Sequence, residues 1–261
     1  MAALVPAYSF LILRYRVNAF DAAAIAATYG SVSAVTFITA QLFLRNISVD
    51  FGGHMTVAMV LMESPAIIMA VLLSSYVRSR GGLSQSPTIA GGSGPLLLPI
   101  KKVLREAFTD GAQLMLLGSF AVGFVSGESG KVMMAPFTVD LFKGILSFFL
   151  LEMGLLVGRQ IIAAEARLNP FFVGFAILMP LVNAAIALSL ALLFGLTRGD
   201  AMLLLILSAS ASYIVVPAVV RHAIPEARPG IYFTMSLGVT FPFNILIGIP
   251  LYFGFTGFWW N

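Results

Sequence analysis

The chain contains no cysteine in 261 residues, only two histidines, and only 10% charged residues. Without thiols there is no disulfide framework, no thiolate metal site and no cysteine nucleophile. The two histidines, His54 and His222, are far apart and have no metal-ligand spacing to each other. A soluble domain carries about 25% charged residues. The 10% here, with 59% hydrophobic residues and a mean hydropathy of +0.98, belongs to an integral membrane protein. The net charge of +4 is small, and no basic stripe is interleaved with aromatics, so no nucleic-acid partner is expected. Enzyme signatures are missing too: there is no H-E-x-x-H, G-x-S-x-G, P-loop or dinucleotide fingerprint, and the chain reads as a non-enzyme with no cofactor.

What the chain has is apolar length. Seven spans are expected at about 20–44, 54–77, 111–126, 138–158, 171–195, 201–221 and 230–256. Residues 2–13 are apolar over a stretch too short to cross a bilayer, which takes roughly 20 residues. Arg14 and Arg16 follow that stretch, the reverse of a signal peptide's order, so it reads as the tail of a helix in an N-terminally shortened chain. Residues 78–98 are Gly/Ser/Pro-rich and read as a linker. Beyond them Ile100, Val103, Leu104, Ala107 and Phe108 share one helical face with Lys101, Lys102 and Arg105 opposite, the pattern of an amphipathic helix on a membrane surface. The expected organisation is residues 1–77 as the end of a first repeat half (a partial helix plus two spans), 78–110 as a cytoplasmic linker with its amphipathic helix, and 111–261 as a second half of five spans.

Loop charge orients the spans. With 78–105 in the cytoplasm, Arg14, Arg16, Arg78, Arg80, Lys101, Lys102, Arg105, Arg159, Arg167, Arg221 and Arg228 fall inside, eleven of fifteen basic residues. Only Arg45, Lys131, Lys143 and Arg198 fall outside, which fits the positive-inside rule and a multi-pass protein of the cell's inner membrane.

Two spans are interrupted by small polar residues. Gly30-Ser31-Val32-Ser33 breaks the first, and Ser208-Ala209-Ser210-Ala211-Ser212-Tyr213 breaks the sixth. Ser31 and Ser33 recur 179 positions on as Ser210 and Ser212; Arg45 recurs as Arg221 at 176, and Pro65 as Pro242 at 177. The two spans run in opposite directions, so the copies form an inverted repeat. The expected fold is therefore an all-α polytopic membrane protein, an inverted-repeat transporter with broken helices. Lipid offers no partners to unpaired backbone groups, so such breaks persist only where they are buried or line a cavity.

Other polar residues sit at membrane depth. Glu63 costs about 2.5–3.5 kcal/mol to insert even on a lenient scale, which makes it a functional candidate. Pro65 frees the carbonyl near residue 61, which is expected to join Glu63 around a cation, sodium or a proton rather than a transition metal. Tight packing is the alternative for the serines, and a protonated, merely packed side chain for Glu63. Asn244, after Pro242, is a further candidate, with a helix-to-helix hydrogen bond as the alternative. Glu152, near Gly154 and Gly158, suits helix packing, and Asp140 with Lys143 a local interfacial pair.

Five stretches, in order along the chain, carry a resemblance: Tyr29 to Phe37, Met62 to Ala66, Asp140 to Ser147, Ala209 to Pro229 and Ser236 to Asn244. They resemble the sodium-dependent bicarbonate transporter family typified by the cyanobacterial protein, with matches from about residue 20 to 254. The resemblance implies ten helices in two inverted halves with both termini outside, a homotrimer, and symport of sodium with bicarbonate between the broken helices. It implies that Ser33 and Thr36 on one side, and Ser210 and Ser212 on the other, line the site. Glu63 stands where the cyanobacterial members carry an aspartate. Val35 replaces a serine of that pattern and Tyr213 an aspartate, while nothing resembles the first two helices. A small PII-like cytosolic regulator is the partner the family implies, although residues 78–98 are shorter than its expected cytoplasmic loop.

The sequence reading is a secondary-transport permease, sodium-coupled for bicarbonate, with Ser31, Ser33, Thr36, Glu63, Ser210, Ser212, Tyr213 and Asn244 as ion- and substrate-binding residues. Glu63 is the sodium candidate. The alternatives are transport of another small carboxylate and a truncated, transport-inactive membrane fragment.

Overall fold

The computed structural model describes residues 1–80, 111–162 and 169–260, and every regular element among them is helical. In order these are α1 (Leu4–Leu13), α2 (Ala19–Gly30), α3 (Ala34–Asn46), α4 (His54–Arg80) and α5 (Gly111–Ala135). A π-helical stretch, Pro136–Leu141, leads into α6 (Phe142–Ile162). Then come α7 (Pro170–Leu193), α8 (Arg198–Ala209), α9 (Val215–Ala223) and α10 (Pro229–Gly257). The amphipathic helix expected over 100–108 lies outside the described residues. Of the linker expected over 78–98, residues 78–80 continue α4 and the rest lies outside them.

Local chemistry sets several of these boundaries. The Asn18 side chain accepts the Phe20 N–H at 3.0 Å to start α2, and Asn169 accepts that of Phe171 at 3.1 Å to start α7, where Pro170 occupies the first turn. Thr197 caps α8 by accepting the Asp200 N–H at 3.3 Å. A side-chain oxygen satisfies one of the first-turn N–H groups that a helix leaves unpaired.

Among the described residues five helical stretches are long and apolar enough to span a membrane, Ala19–Asn46 being counted across its break. Seven spans were expected. The sixth is divided by its break into α8 and α9, each too short alone, while the expected spans 111–126 and 138–158 overlap one apolar run, Leu117–Glu152, which kinks between them at Gly127. The only non-helical backbone inside α5 is Gly127, at φ 59°. That run is scarcely buried, with Phe124, Val125, Met133 and Phe148 all outward.

The remaining helices pack around two large apolar cores, and a third, small cluster of Tyr213, Leu237 and Phe241 meets Phe149 and Leu150 of α6. One large core gathers α1, α2, the second half of α4, the first half of α7, α9 and the start of α10. The other gathers α3, the first half of α4, the second half of α7, α8 and the end of α10. Ala22, Ala23, Ala24, Ala26 and Ala27 of α2 are fully buried, because small side chains let helix backbones approach closely. Between the cores lies a layer of buried polar side chains at the two breaks.

The chain ends of the helices sort into two faces. Arg78 at the end of α4 pairs with Glu226, and Arg228 pairs with Asp21 at the start of α2. At the opposite face Gly52 and His54 meet Asp200, and the Trp260 indole donates to the Leu196 carbonyl at 2.8 Å. Arg78, Arg221 and Arg228 thus share one face and Arg45 and Arg198 the other, the same grouping that the loop charges give.

Candidate functional site

The two breaks cross each other. α2 stops at Gly30 and α8 at Ala209, and the residues that follow turn extended: Ser31 at φ −97°, ψ 175° and Ser210 at φ −82°, ψ 166°. Gly30 admits no side chain, since a Cβ there would overlap the ring of Pro6 in α1. At the crossing the Ser33 N–H donates to Ser210 Oγ at 3.0 Å, and the Ser212 N–H donates to the Thr28 carbonyl at 2.9 Å. Each break thus supplies a partner for a backbone donor freed in the other, which settles the desolvation cost of opening a helix in lipid.

The second serine of each pair also restarts its helix. Ser33 Oγ accepts from the Thr36 N–H at 3.2 Å and the Thr36 hydroxyl at 2.9 Å, and donates to the Tyr213 oxygen at 3.0 Å. Ser212 Oγ accepts from the Val216 N–H at 3.3 Å. Two helix starts, α3 and α9, and two helix ends, α2 and α8, consequently face the same layer. A helix start favours an anion and a helix end a cation through the helix dipole.

The span following each broken helix sends one polar side chain to its break. From α4, Glu63, 6% exposed, reaches Ser31, whose hydroxyl donates to Oε1 at 3.5 Å. From α10, the Asn244 amide donates to the carbonyl of Ala209, the last residue of α8, at 2.9 Å, and its Oδ1 accepts from Tyr252 at 3.2 Å. Asn244 opens one of two π-helical stretches of α10, Thr234–Thr240 and Asn244–Gly248, which flank Pro242. Wider π turns re-aim side chains and accommodate a proline that has no N–H to give.

All eight residues expected at the site are buried and fall in this layer. Direct bonds join Ser33, Thr36, Ser210 and Tyr213; Glu63 enters through Ser31, Ser212 through Thr28, and Asn244 through Ala209. Among the described residues no group of three or more His, Asp or Glu side chains could hold a metal. A cation here would rest on Glu63 with hydroxyl and carbonyl oxygens, a donor set suited to an alkali ion. Glu152 is exposed on α6 and stands apart from the layer, and Asp140 lies 3.9 Å from Lys143 as a local pair.

Four further residues belong to this architecture and were not singled out in the sequence. Thr240 donates to the Ala176 carbonyl at 2.7 Å, so the Tyr29 hydroxyl, 2.6 Å away, donates to Thr240. Asp21 and Asp200 are buried carboxylates in the first turns of α2 and α8. The signal for the aspartates was available: the 179-residue offset that pairs the serines also pairs Asn18 with Thr197 and Asp21 with Asp200. Tyr29 and Thr240 had no comparable mark.

No curated protein matches the chain. A comparison with protein families matches residues 1–256, nearly the whole length, to the Na+-dependent bicarbonate transporter superfamily. With two opposed breaks crossing in a buried polar layer and a family match from end to end, the chain belongs to the Na+-dependent bicarbonate transporter superfamily.

Proposed function

We propose that this protein is a sodium-coupled symporter of bicarbonate, with both cargoes bound where the breaks cross. The observation that supports this most is the pairing of opposite helix ends in one buried layer beside a single carboxylate. The N–H groups at the starts of α3 and α9, with the hydroxyls of Ser33, Thr36 and Ser212, suit a small planar oxyanion. The carbonyl ends of α2 and α8, with Ser31 and Glu63, suit sodium. Cotransport follows from proximity: an anion and a cation in one dehydrated layer each lower the cost of the other's transfer.

The test is uptake of labelled bicarbonate into proteoliposomes with and without an inward sodium gradient. Gradient-dependent uptake is expected from the parent protein. Glu63→Gln is expected to insert and fold normally and to lose the sodium dependence. A variant that responds to sodium like the parent would make Glu63 structural.

Tyr213 favours a second reading. Its ring packs edge-on against Phe241 at 5.1 Å between centroids, which gives the layer an apolar wall suited to a small carboxylate. Competition of bicarbonate uptake by acetate and larger carboxylates separates the two. By family resemblance we further propose a homotrimer in the cell's inner membrane, with the outward surfaces of α5 and α6 as the faces that lipid or neighbouring copies would cover. A PII-like regulator belongs to the same proposal.

A further inference from the structure

Asp21 and Asp200 occupy equivalent places, and so do their partners. Asp21, in the first turn of α2, accepts the backbone N–H of Arg228 at 2.8 Å, and Arg228 is the residue before α10. Asp200, in the first turn of α8, accepts the backbone N–H of Gly52 at 2.7 Å, two residues before α4. Gly52 and Arg228 are 176 positions apart, within three of the 179 that separate the aspartates. Each carboxylate therefore ties the outer end of one broken helix to the loop that begins the closing span of the opposite repeat. One tie lies at the face of Arg78 and Arg228, the other at the face of Arg45 and Arg198.

Side chains complete the ties differently. Asp21 Oδ2 receives the Arg228 guanidinium at 3.0 and 2.7 Å, a charge-assisted fork. Asp200 Oδ2 receives the Thr197 hydroxyl at 2.8 Å, with His54 Nε2 at 3.5 Å on an outer side that is 61% exposed. Gly199 lets this loop close down, since a Cβ there would overlap the Asp50 carbonyl oxygen. Both ties are made at once in this structure, and the crossing between them is buried, with Ser31, Ser33, Ser210 and Ser212 all under 5% exposed.

We propose that Asp21 and Asp200 are a symmetry-related pair of latches, positioning residues whose alternate release decides which membrane face reaches the crossing. The inference rests on the transport reading. Apolar helix contacts are non-directional and can slide, whereas a buried carboxylate holding a backbone N–H has one closed geometry. Releasing one tie frees the loop at that face while the other still holds its broken helix to the opposite repeat. The structure with both closed is the occluded state.

The chain's lack of cysteine permits a direct test. Ala211→Cys places one thiol in the second break of the full chain, and a membrane-impermeant maleimide is applied to right-side-out and inside-out vesicles. Asp21→Asn is expected to raise labelling several-fold from the face of Arg228 alone, and Asp200→Asn from the opposite face alone. Arg228→Gln and His54→Gln keep the backbone ties, and are expected to act in the same directions more weakly should an aspartate variant fail to fold. Folded variants that label like the parent, or that gain equally from both faces, would make the aspartates ordinary structural ties and overturn the proposal. Labelling is read without substrate, so a failure of bicarbonate uptake would count against the transport reading and leave this result separate.

Discussion

The two breaks do the same job with different materials. The first is short, three residues from Ser31 to Ser33, and relies on a glycine pressed against Pro6 and on a serine cap with three side-chain bonds. The second runs from Ser210 to Ile214, has alanine where the first has glycine, and offers no side-chain cap at Ile214, only one bond of 3.3 Å from the Val216 N–H to Ser212. The first break also faces a carboxylate and the second an amide. An inverted repeat makes the two halves equivalent in geometry, and these differences make them unequal in rigidity and charge. The first half carries the carboxylate, which is where the proposal above seats the cation.

The largest test of that contrast is the glycine. Gly30→Ala drives a methyl into Pro6, and overpacking of this kind costs roughly 1–3 kcal/mol. Thermal melting should fall and uptake should be nearly lost, whereas Ala209→Gly at the equivalent place should keep most uptake. Equal effects would erase the asymmetry.

Asn244→Ala comes next. It leaves the Ala209 carbonyl and the Tyr252 hydroxyl without their partner, a loss of about 1–3 kcal/mol for buried polar groups, with lower melting and intact sodium dependence in whatever uptake remains. Glu63→Gln should show the opposite pattern, so the pair separates holding a break open from binding a cation.

The caps provide a finer comparison. Ser33→Ala removes the oxygen that starts α3, about 0.5–2 kcal/mol by analogy with other N-caps, and Ser212→Ala should cost less because its bond is longer and single. Melting of both in the same detergent ranks them.

The smallest effect is expected far from the breaks. Burial acts to raise the Glu226 carboxyl, but its hydrogen bonds, the Arg78 bond first among them, and the Arg78 charge leave it below the ordinary 4.5. A lowered folded value means the pair stabilises above pH 4.5 and loses that contribution as pH falls through the lowered value. The pair is largely solvated, so Arg78→Gln should cost no more than about 1 kcal/mol, and the gap from the parent should close in acid.

The breaks were legible in the sequence because serines and a glycine clustered inside an apolar run weaken a helix just where lipid would otherwise enforce one. Glu63 and Asn244 were legible too, as polar groups that a membrane interior does not hold without cause. Tyr29 and Thr240 were not, since tyrosine and threonine are ordinary in apolar helices and only the fold brings them 2.6 Å apart. Asp21 and Asp200 were overlooked for another reason. At the edge of a span a first-turn aspartate looks like a solvated helix-start charge, and its burial comes from a loop of the opposite repeat. The amphipathic helix over 100–108 rests on sequence pattern alone.

Each half-helix belongs to a single core: α2 and α9 to one, α3 and α8 to the other. Only α4, α7 and α10 contribute to both. Mechanically the molecule resembles two blocks on three continuous rods, with an expansion joint where the four short pieces abut. Strain imposed at one end can be taken up at that joint by exchanging hydrogen bonds of comparable strength, without opening a cavity in either block. A cargo seated in the joint would then be lodged at the place where the protein yields most cheaply.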